Sequence, residues 1–252
     1  MMKILRILTV AGLALASLGA KPALATTVSP VMVDLQSNGR GVVANVSVNN
    51  TGASPLPIEI QVIPLTPTAT GLQPGKPDSD EDLLVTPPSV LIPAGQTQTF
   101  RVQWVGDPEL NSSKHYYVSI DQLPVKLPEG QSAVQVVYNF QVLVSVSSPD
   151  KKAELSITGV APATVNGKPA VAVTVQNSGQ AHGYISQHRL KISATDGSGA
   201  EVFTKTISGA EFQQLVGYGL VATGQTRTVD VPVGKLPSSA KLSAVLMDER
   251  AQ

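Results

Sequence analysis

Residues able to do acid–base, nucleophilic or metal chemistry are scattered through this 252-residue chain. His115, His182 and His188 are far apart in sequence, and none has the H-E-x-x-H spacing of a zinc protease. His115, beside Tyr116, is expected as a surface residue at a strand end. Asp121 and Asp230 fall in alternating strand patterns and read as solvated strand-face residues. No G-x-S-x-G elbow presents a nucleophile. Gly217-Tyr218-Gly219 reads as a turn rather than a phosphate loop. Asp78-Ser79-Asp80-Glu81-Asp82 is acidic enough for weak calcium binding but lacks the ligand spacing and twelfth-position Glu of an EF-hand, so a solvated loop is expected. With 0 Cys, thiolate zinc sites, thiol nucleophiles and disulfides are excluded. The chain is therefore not expected to be an enzyme, and no cofactor or metal is expected.

The chemistry that remains is that of an apolar strand. Val134, Val136, Tyr138, Phe140, Val142, Val144 and Val146 occupy every second position, with no Gly or Pro among them. A strand over 134–146 would run about 40 Å, at about 3.3 Å per residue. That is more than twice the usual strand length. A sandwich of ordinary size needs about half of it for its own core. A long apolar edge is normally an aggregation hazard. Its presence here points to strand addition, in which backbone groups pair with a partner and alternate side chains fill its pockets.

The elements that must carry this strand come in two similar sets. Val46-Ser47-Val48-Asn49-Asn50-Thr51-Gly52 returns as Val173-Thr174-Val175-Gln176-Asn177-Ser178-Gly179. The segment LIPAGQTQTFRV from Leu91 to Val102 returns as LVATGQTRTVDV from Leu220 to Val231. Two repeats in the same order argue for two copies of one domain, too long for a solenoid unit. Short alternating runs separated by turn residues predict strands in each copy, so the fold class is all-β, with two sandwiches. Ile58, Ile60, Val62 and Leu65, flanked by Pro55, Pro57 and Pro64, read as an edge strand. Ser148-Pro149-Asp150 is the expected join. The domains are then 26–149 and 150–252.

Composition agrees with this. Lys+Arg and Asp+Glu are 18 each, which excludes a protein that binds nucleic acid through a basic surface. Only 14% of residues are charged and 42% are hydrophobic, which excludes a disordered chain. Residues 1–25 read as a signal peptide. Lys3 and Arg6 form its positive end, Ile7 to Leu18 its apolar run, and Ala23-Leu24-Ala25 its cleavage site. The run is shorter than the roughly 20 residues that span a bilayer, so no stable membrane insertion is expected. Cleavage removes Lys3, Arg6 and Lys21, leaving 15 basic against 18 acidic residues and a net charge of −3. An exported chain without disulfides must be held by its cores alone.

Two motifs resemble a known family. Thr86-Pro87-Pro88, Leu91-Ile92-Pro93-Ala94-Gly95-Gln96 and Arg101-Val102 are similar to the mid-domain segment of PapD-like periplasmic pilus chaperones. Tyr116-Tyr117-Val118-Ser119-Ile120-Asp121-Gln122-Leu123-Pro124 resembles the family's aromatic pair and following strand. The likeness is strong over residues 28–149 and only in outline beyond. It implies two immunoglobulin-like domains set as an L, in the periplasm. It implies as partners pilus subunits with an incomplete immunoglobulin-like fold, and an outer-membrane usher that receives them. The long strand falls at the family's donor strand. Val134, Val136 and Tyr138 are then expected to enter the subunit groove, with Phe140 completing the binding strand on the side that covers the chaperone's own core.

The sequence also departs from that pattern. Many members anchor the subunit's terminal carboxylate with an Arg on the first strand and a Lys on the long strand. Here those positions fall near Pro30 and at Leu143 or Val144. This places the chain nearer the alternative or archaic branches. Arg40, Arg101, Lys114 and Arg189 are substitute candidates, with surface charge the simpler reading for each. A rival reading makes the chain an exported pilus subunit built of two sandwiches. Such a subunit would carry its spare strand at the N-terminus, whereas here it is internal. Val136→Asp is expected to weaken subunit capture with little effect on folding; periplasmic subunit yield is the measurement, and an unchanged yield removes the donor-strand assignment.

Overall fold

Alternation of valine, isoleucine and threonine with polar residues drives most of the chain into strands that bury one face. The structure is a computed structural model, and it describes residues 26–68, 71–124, 137–237 and 240–248. The expected signal segment 1–25 and the expected binding residues Val134 and Val136 lie outside the described residues.

In the first half the strands are β1 (Thr27–Ser29), β2 (Met32–Gln36), β3 (Val43–Asn49), β4 (Leu56–Thr68), β5 (Gly71–Pro74), β6 (Leu83–Thr86), β7 (Ser89–Ile92), β8 (Thr97–Trp104), β9 (Lys114–Gln122) and β10 (Asn139–Ser147). One sheet has the order β1-β3-β8-β6. The other has the order β2-β10-β9-β4-β5, with β7 also on β4. Val46, Val48, Phe100, Val102 and Trp104 from the first sheet meet Val118, Ile120, Val142, Val144 and Val146 from the second in one core. The chain crosses between sheets at Pro30, between β1 and β2, and at Pro87-Pro88, between β6 and β7. Proline has no N–H to give a ladder, so it suits the points where the chain leaves one.

The proline-flanked run is not an edge strand. β4 pairs with β9 from Ile58 to Leu65, while β7 and β5 cover the two ends of its other side. Between those ends Val62 N–H donates to the Asp78 carboxylate (2.9 Å) and Val62 C=O accepts from Asp78 N–H (2.7 Å). A loop thus substitutes for a strand, and the prolines sit where no donor is needed.

The second half contains β11 (Leu155–Val165), β12 (Lys168–Asn177), β13 (Gly183–Tyr184), β14 (His188–Thr195), β15 (Glu201–Ile207), the short helix α1 (Gly209–Leu215), β16 (Leu220–Val221), β17 (Thr226–Pro232) and β18 (Lys241–Asp248). Sheets β11-β12-β17 and β15-β14-β18 enclose a separate core that includes Val171, Val173, Ile192, Ile207, Phe212 and Val231. Ser208 caps α1 by accepting from Glu211 N–H (3.2 Å), which places Phe212 in that core.

The internal repeat has a physical cause. Asn50 directly follows β3 and is almost fully buried, and its side-chain amide donates to Ile92 C=O (3.0 Å), Pro93 C=O (3.1 Å) and Ser54 C=O (2.9 Å). Its Oδ1 accepts from Gly52 N–H (3.0 Å). Asn177 ends β12 and repeats the device, donating to Ala181 C=O (2.8 Å) and Val221 C=O (3.1 Å) and accepting from Gly179 and Glu154 N–H (3.0 Å each). The two segments that recur in sequence are therefore the two that this asparagine ties together. Asn50→Ala strands several buried backbone groups and is expected to cost about 2–3 kcal/mol. Urea unfolding followed by fluorescence of Trp104, the chain's only tryptophan and part of the first core, measures it.

Candidate functional site

β10 is flanked on both sides along only part of its length. It pairs antiparallel with β9 from Asn139 to Val146. On its other flank it pairs in parallel with β2 only from Leu143 to Ser147. Leu143 N–H donates to Val31 C=O on that flank (3.0 Å). Backbone groups alternate direction along an antiparallel pair. Gln141 and Asn139 thus aim their N–H and C=O groups to the same flank as Leu143, where no strand lies among the described residues. This is an open sheet edge.

The side chains beside this edge grade from buried to exposed. Val146, Val144 and Val142 are fully buried. Phe140, on the same face, is half-buried and packs on the core rim. Tyr138 is 42% exposed and stacks on Phe140 with ring centroids 6.0 Å apart. The strand begins at Asn139, and Val137 and Tyr138 precede it. Tyr138 still lies along β9: its C=O accepts from Gln122 N–H (2.9 Å) and its N–H donates to Gln122 Oε1 (3.2 Å). Of the expected binding residues, the structure places Tyr138 and Phe140 together at the core rim, at the start of the open edge.

The opposite face of the same sheet carries a polar row. Register sets Asp34 on β2 and His115 on β9 on either side of Ser145 on β10. The second sandwich docks on this row. Tyr184 hydroxyl lies 2.7 Å from Asp34 Oδ1 and 3.2 Å from Ser145 Oγ. His182 Nε2 lies 3.1 Å from Asp34 Oδ1, and its Nδ1 lies 2.9 Å from Ser113 Oγ. His182 N–H donates to Ser113 Oγ (2.8 Å), and Ser113 N–H donates to Thr223 Oγ1 (3.3 Å). Burial would raise the Asp34 carboxyl, but hydrogen bonds from His182 and Tyr184 and the nearby imidazoles outweigh it and hold it below the ordinary value. Burial and the Asp34 carboxylate push the Tyr184 hydroxyl up.

Two sequence expectations are corrected here. His115 is not a surface residue: it is 2% exposed, bonded to Ser145 (2.9 Å) and 5.3 Å from the His182 ring. Asp121 is not merely solvated, because it accepts from Ser119 (3.0 Å) and is bonded to Asn139. The atom order Ser113–His182–Asp34 is that of a hydrolase relay. Here, however, the His182 side chain is only 6% exposed and Ser113 Oγ already accepts the His182 amide, so the group ties two sandwiches and has no room for a substrate.

The acidic run is also more structural than expected. Asp80 and Asp82 both pair with Lys114, and Asp80 accepts from the Tyr116 hydroxyl (3.2 Å). The Lys114 ammonium lies 5.7 Å from the Trp104 ring centroid. Burial would lower the Lys114 pKa, but the two aspartates overcome this and raise it. Lys114 is therefore occupied as a substitute anchor. Arg40 and Arg101 are exposed. Among the described residues no group of three or more His, Asp or Glu could hold a metal ion, and no helix is long and apolar enough to cross a membrane.

The model of the PapD N-terminal domain, described as a pili and flagellar-assembly chaperone, matches residues 26–147. The class 5 fimbriae chaperone CfaA is 16% identical with a TM-score of 0.53, over 88% of this chain and 99% of that one. A chain from a chaperone–tip adhesin complex of CFA/I fimbriae biogenesis is 15% identical with a TM-score of 0.52, over 88% and 98%. At such identity the two structures establish the fold, two immunoglobulin-like sandwiches. No curated protein matches. Tyr184→Phe removes the hydroxyl that joins Asp34 to Ser145 and is expected to cost about 1.5–3 kcal/mol, the range for a hydrogen bond to a charged group. Urea unfolding of the variant beside the parent chain measures it.

Proposed function

Since the chain, through residues 26–147, belongs to the PapD-type family of pili- and flagellar-assembly chaperones, we propose that it lends the β10 edge to pilus subunits whose own immunoglobulin-like fold is incomplete. One observation carries this reading: from Asn139 to Val142 the strand is paired on one side only among the described residues. A subunit strand laid there would complete the ladder, and Tyr138, preceded by Val136 and Val134, would enter its groove. Each apolar side chain buried in that way contributes roughly 1.5–3 kcal/mol. Phe140 is divided between the two tasks, since it already packs on the chaperone core.

The same reading places the mature chain in the periplasm after loss of residues 1–25, with domains 26–149 and 150–252, and with an outer-membrane usher receiving the subunit. Pro30, Leu143 and Val144 leave the cleft without the basic pair of the best-known members, which favours an alternative or archaic branch. The internal position of the spare strand favours this over a pilus subunit.

Gln141→Pro tests the edge directly. It removes an N–H that faces no strand among the described residues, so folding stability should stay within about 1 kcal/mol. Capture of the co-expressed pilus subunit should fall at least about fivefold, the equivalent of one hydrogen bond of about 1 kcal/mol. Recovery of a one-to-one complex from periplasm is the measurement; undiminished recovery rules the edge out. Tyr138→Asp should reduce capture alone, whereas Phe140→Asp should reduce capture and lower the urea midpoint.

A further inference from the structure

The polar row between the sandwiches has one acid-sensitive member. Asp34, as a carboxylate, has no proton to give, so the Tyr184 hydroxyl donates to it and leaves its own oxygen to accept from Ser145. Ser145 in turn accepts from His115 Nδ1. The chain of donors thus runs from His115 through Ser145 and Tyr184 to Asp34, and His182 Nε2 donates to Asp34 from the other side. This ordering leaves the bare lone pair of a neutral His115 on Nε2, which has no hydrogen-bond partner and is buried.

A second proton on His115 has nowhere to go while the sandwiches are docked. It would place an N–H without an acceptor, and a positive charge, in a site closed by the His182 ring. The other groups around it give little relief. Asp34 on β2 is already bonded to His182 and Tyr184. Lys114 on β9 is a cation paired with Asp80 and Asp82, and Asp80 is further bonded to Tyr116. β10 offers the Ser145 hydroxyl, and β4 sets Leu65 opposite His115. From the second sandwich come His182 and Tyr184, with Tyr218 behind Tyr184 at 6.4 Å.

We propose that docking of the second sandwich on the Asp34–Ser145–His115 row is an acid-labile latch, closed on neutral His115 and opened by its protonation. Burial, reinforced by His182, lowers the His115 pKa to about 3 when docked, with Asp34 opposing only in part. Undocking returns the ring to water and to an ordinary value near 6.5. The sign follows from that difference. Above pH 6.5 neither state binds the proton and the latch is at full strength. As pH falls from 6.5 towards 3 the undocked state alone takes it up, and the docking constant drops about tenfold per pH unit. This device belongs to the chain itself and does not depend on the strand-lending role.

Two amides report on the latch directly. Ser113 N–H and His182 N–H are each held by a side-chain acceptor across the interface, Thr223 Oγ1 and Ser113 Oγ. Hydrogen exchange of the full mature chain, corrected for intrinsic rates, should show their protection falling about thirtyfold from pH 7.5 to 5.0. Amides inside the ladders, such as those of Val48 and Val173, should not follow. In His115→Gln, which cannot charge, protection at Ser113 and His182 should be flat with pH. Flat protection in the parent chain, or the same slope in His115→Gln, overturns the latch. If His115→Gln does not fold, the His115 ring titration in the parent chain decides: a midpoint near 6.5 with unchanged protection overturns it, and a ring that charges only as protection falls supports it.

Discussion

The parallel pairing of β10 with β2 stops at Leu143, and the organisation of the molecule turns on that limit. C-terminal to it the strand is enclosed on both flanks, and Val142, Val144 and Val146 fill the first core beneath it. N-terminal to it the strand keeps one partner, and its other flank is unpaired among the described residues. A single strand therefore contributes to the fold at one end and remains available at the other. Crossing at Pro30 sets the limit, because β1 joins the opposite sheet and β2 reaches β10 only from Met32 onward.

The same strand supplies the middle of the polar row. Alternation puts the valines into the core and Ser145 on the outer face, between Asp34 and His115. Tyr184 and His182 dock there through hydrogen bonds. Polar contacts of this kind depend on geometry, since each buried partner left unmet costs more than a met one contributes. The docked second sandwich is thus indexed to the strands that carry the open edge.

A fold repeated in one chain needs a repeated means of closing it. Asn50 and Asn177 perform the same task at the same corner, each at the end of a strand and tying it to the turn before a later one. With 0 Cys available, that corner is fastened by a buried amide. The lysine at position 114 shows the opposite relation to sequence. As an isolated cation it was a candidate for binding a partner's carboxylate, and Asp80 and Asp82 of its own chain take that role.

Periodicity was enough to read the all-β class, the two sandwiches and the face of β10 that enters the core, because burial of alternate side chains is a local rule. The repeated segments were legible for the same reason, although the role of Asn50 and Asn177 was not. The resemblance carried by Thr86-Pro87-Pro88 and by the Tyr116–Pro124 segment added the family. Sequence alone could not place His115, which looks like any polar residue at a strand end. It is buried because the second sandwich covers it, and that contact joins residues 39 to 150 positions apart. The edge character of Pro57 and Pro64 was misread likewise, since β7, β5 and the Asp78 loop supply partners from later in the chain. Local patterning decides which face of a strand is apolar; only the assembled fold decides which flank is left open and which polar face is covered, because both depend on neighbours distant in sequence.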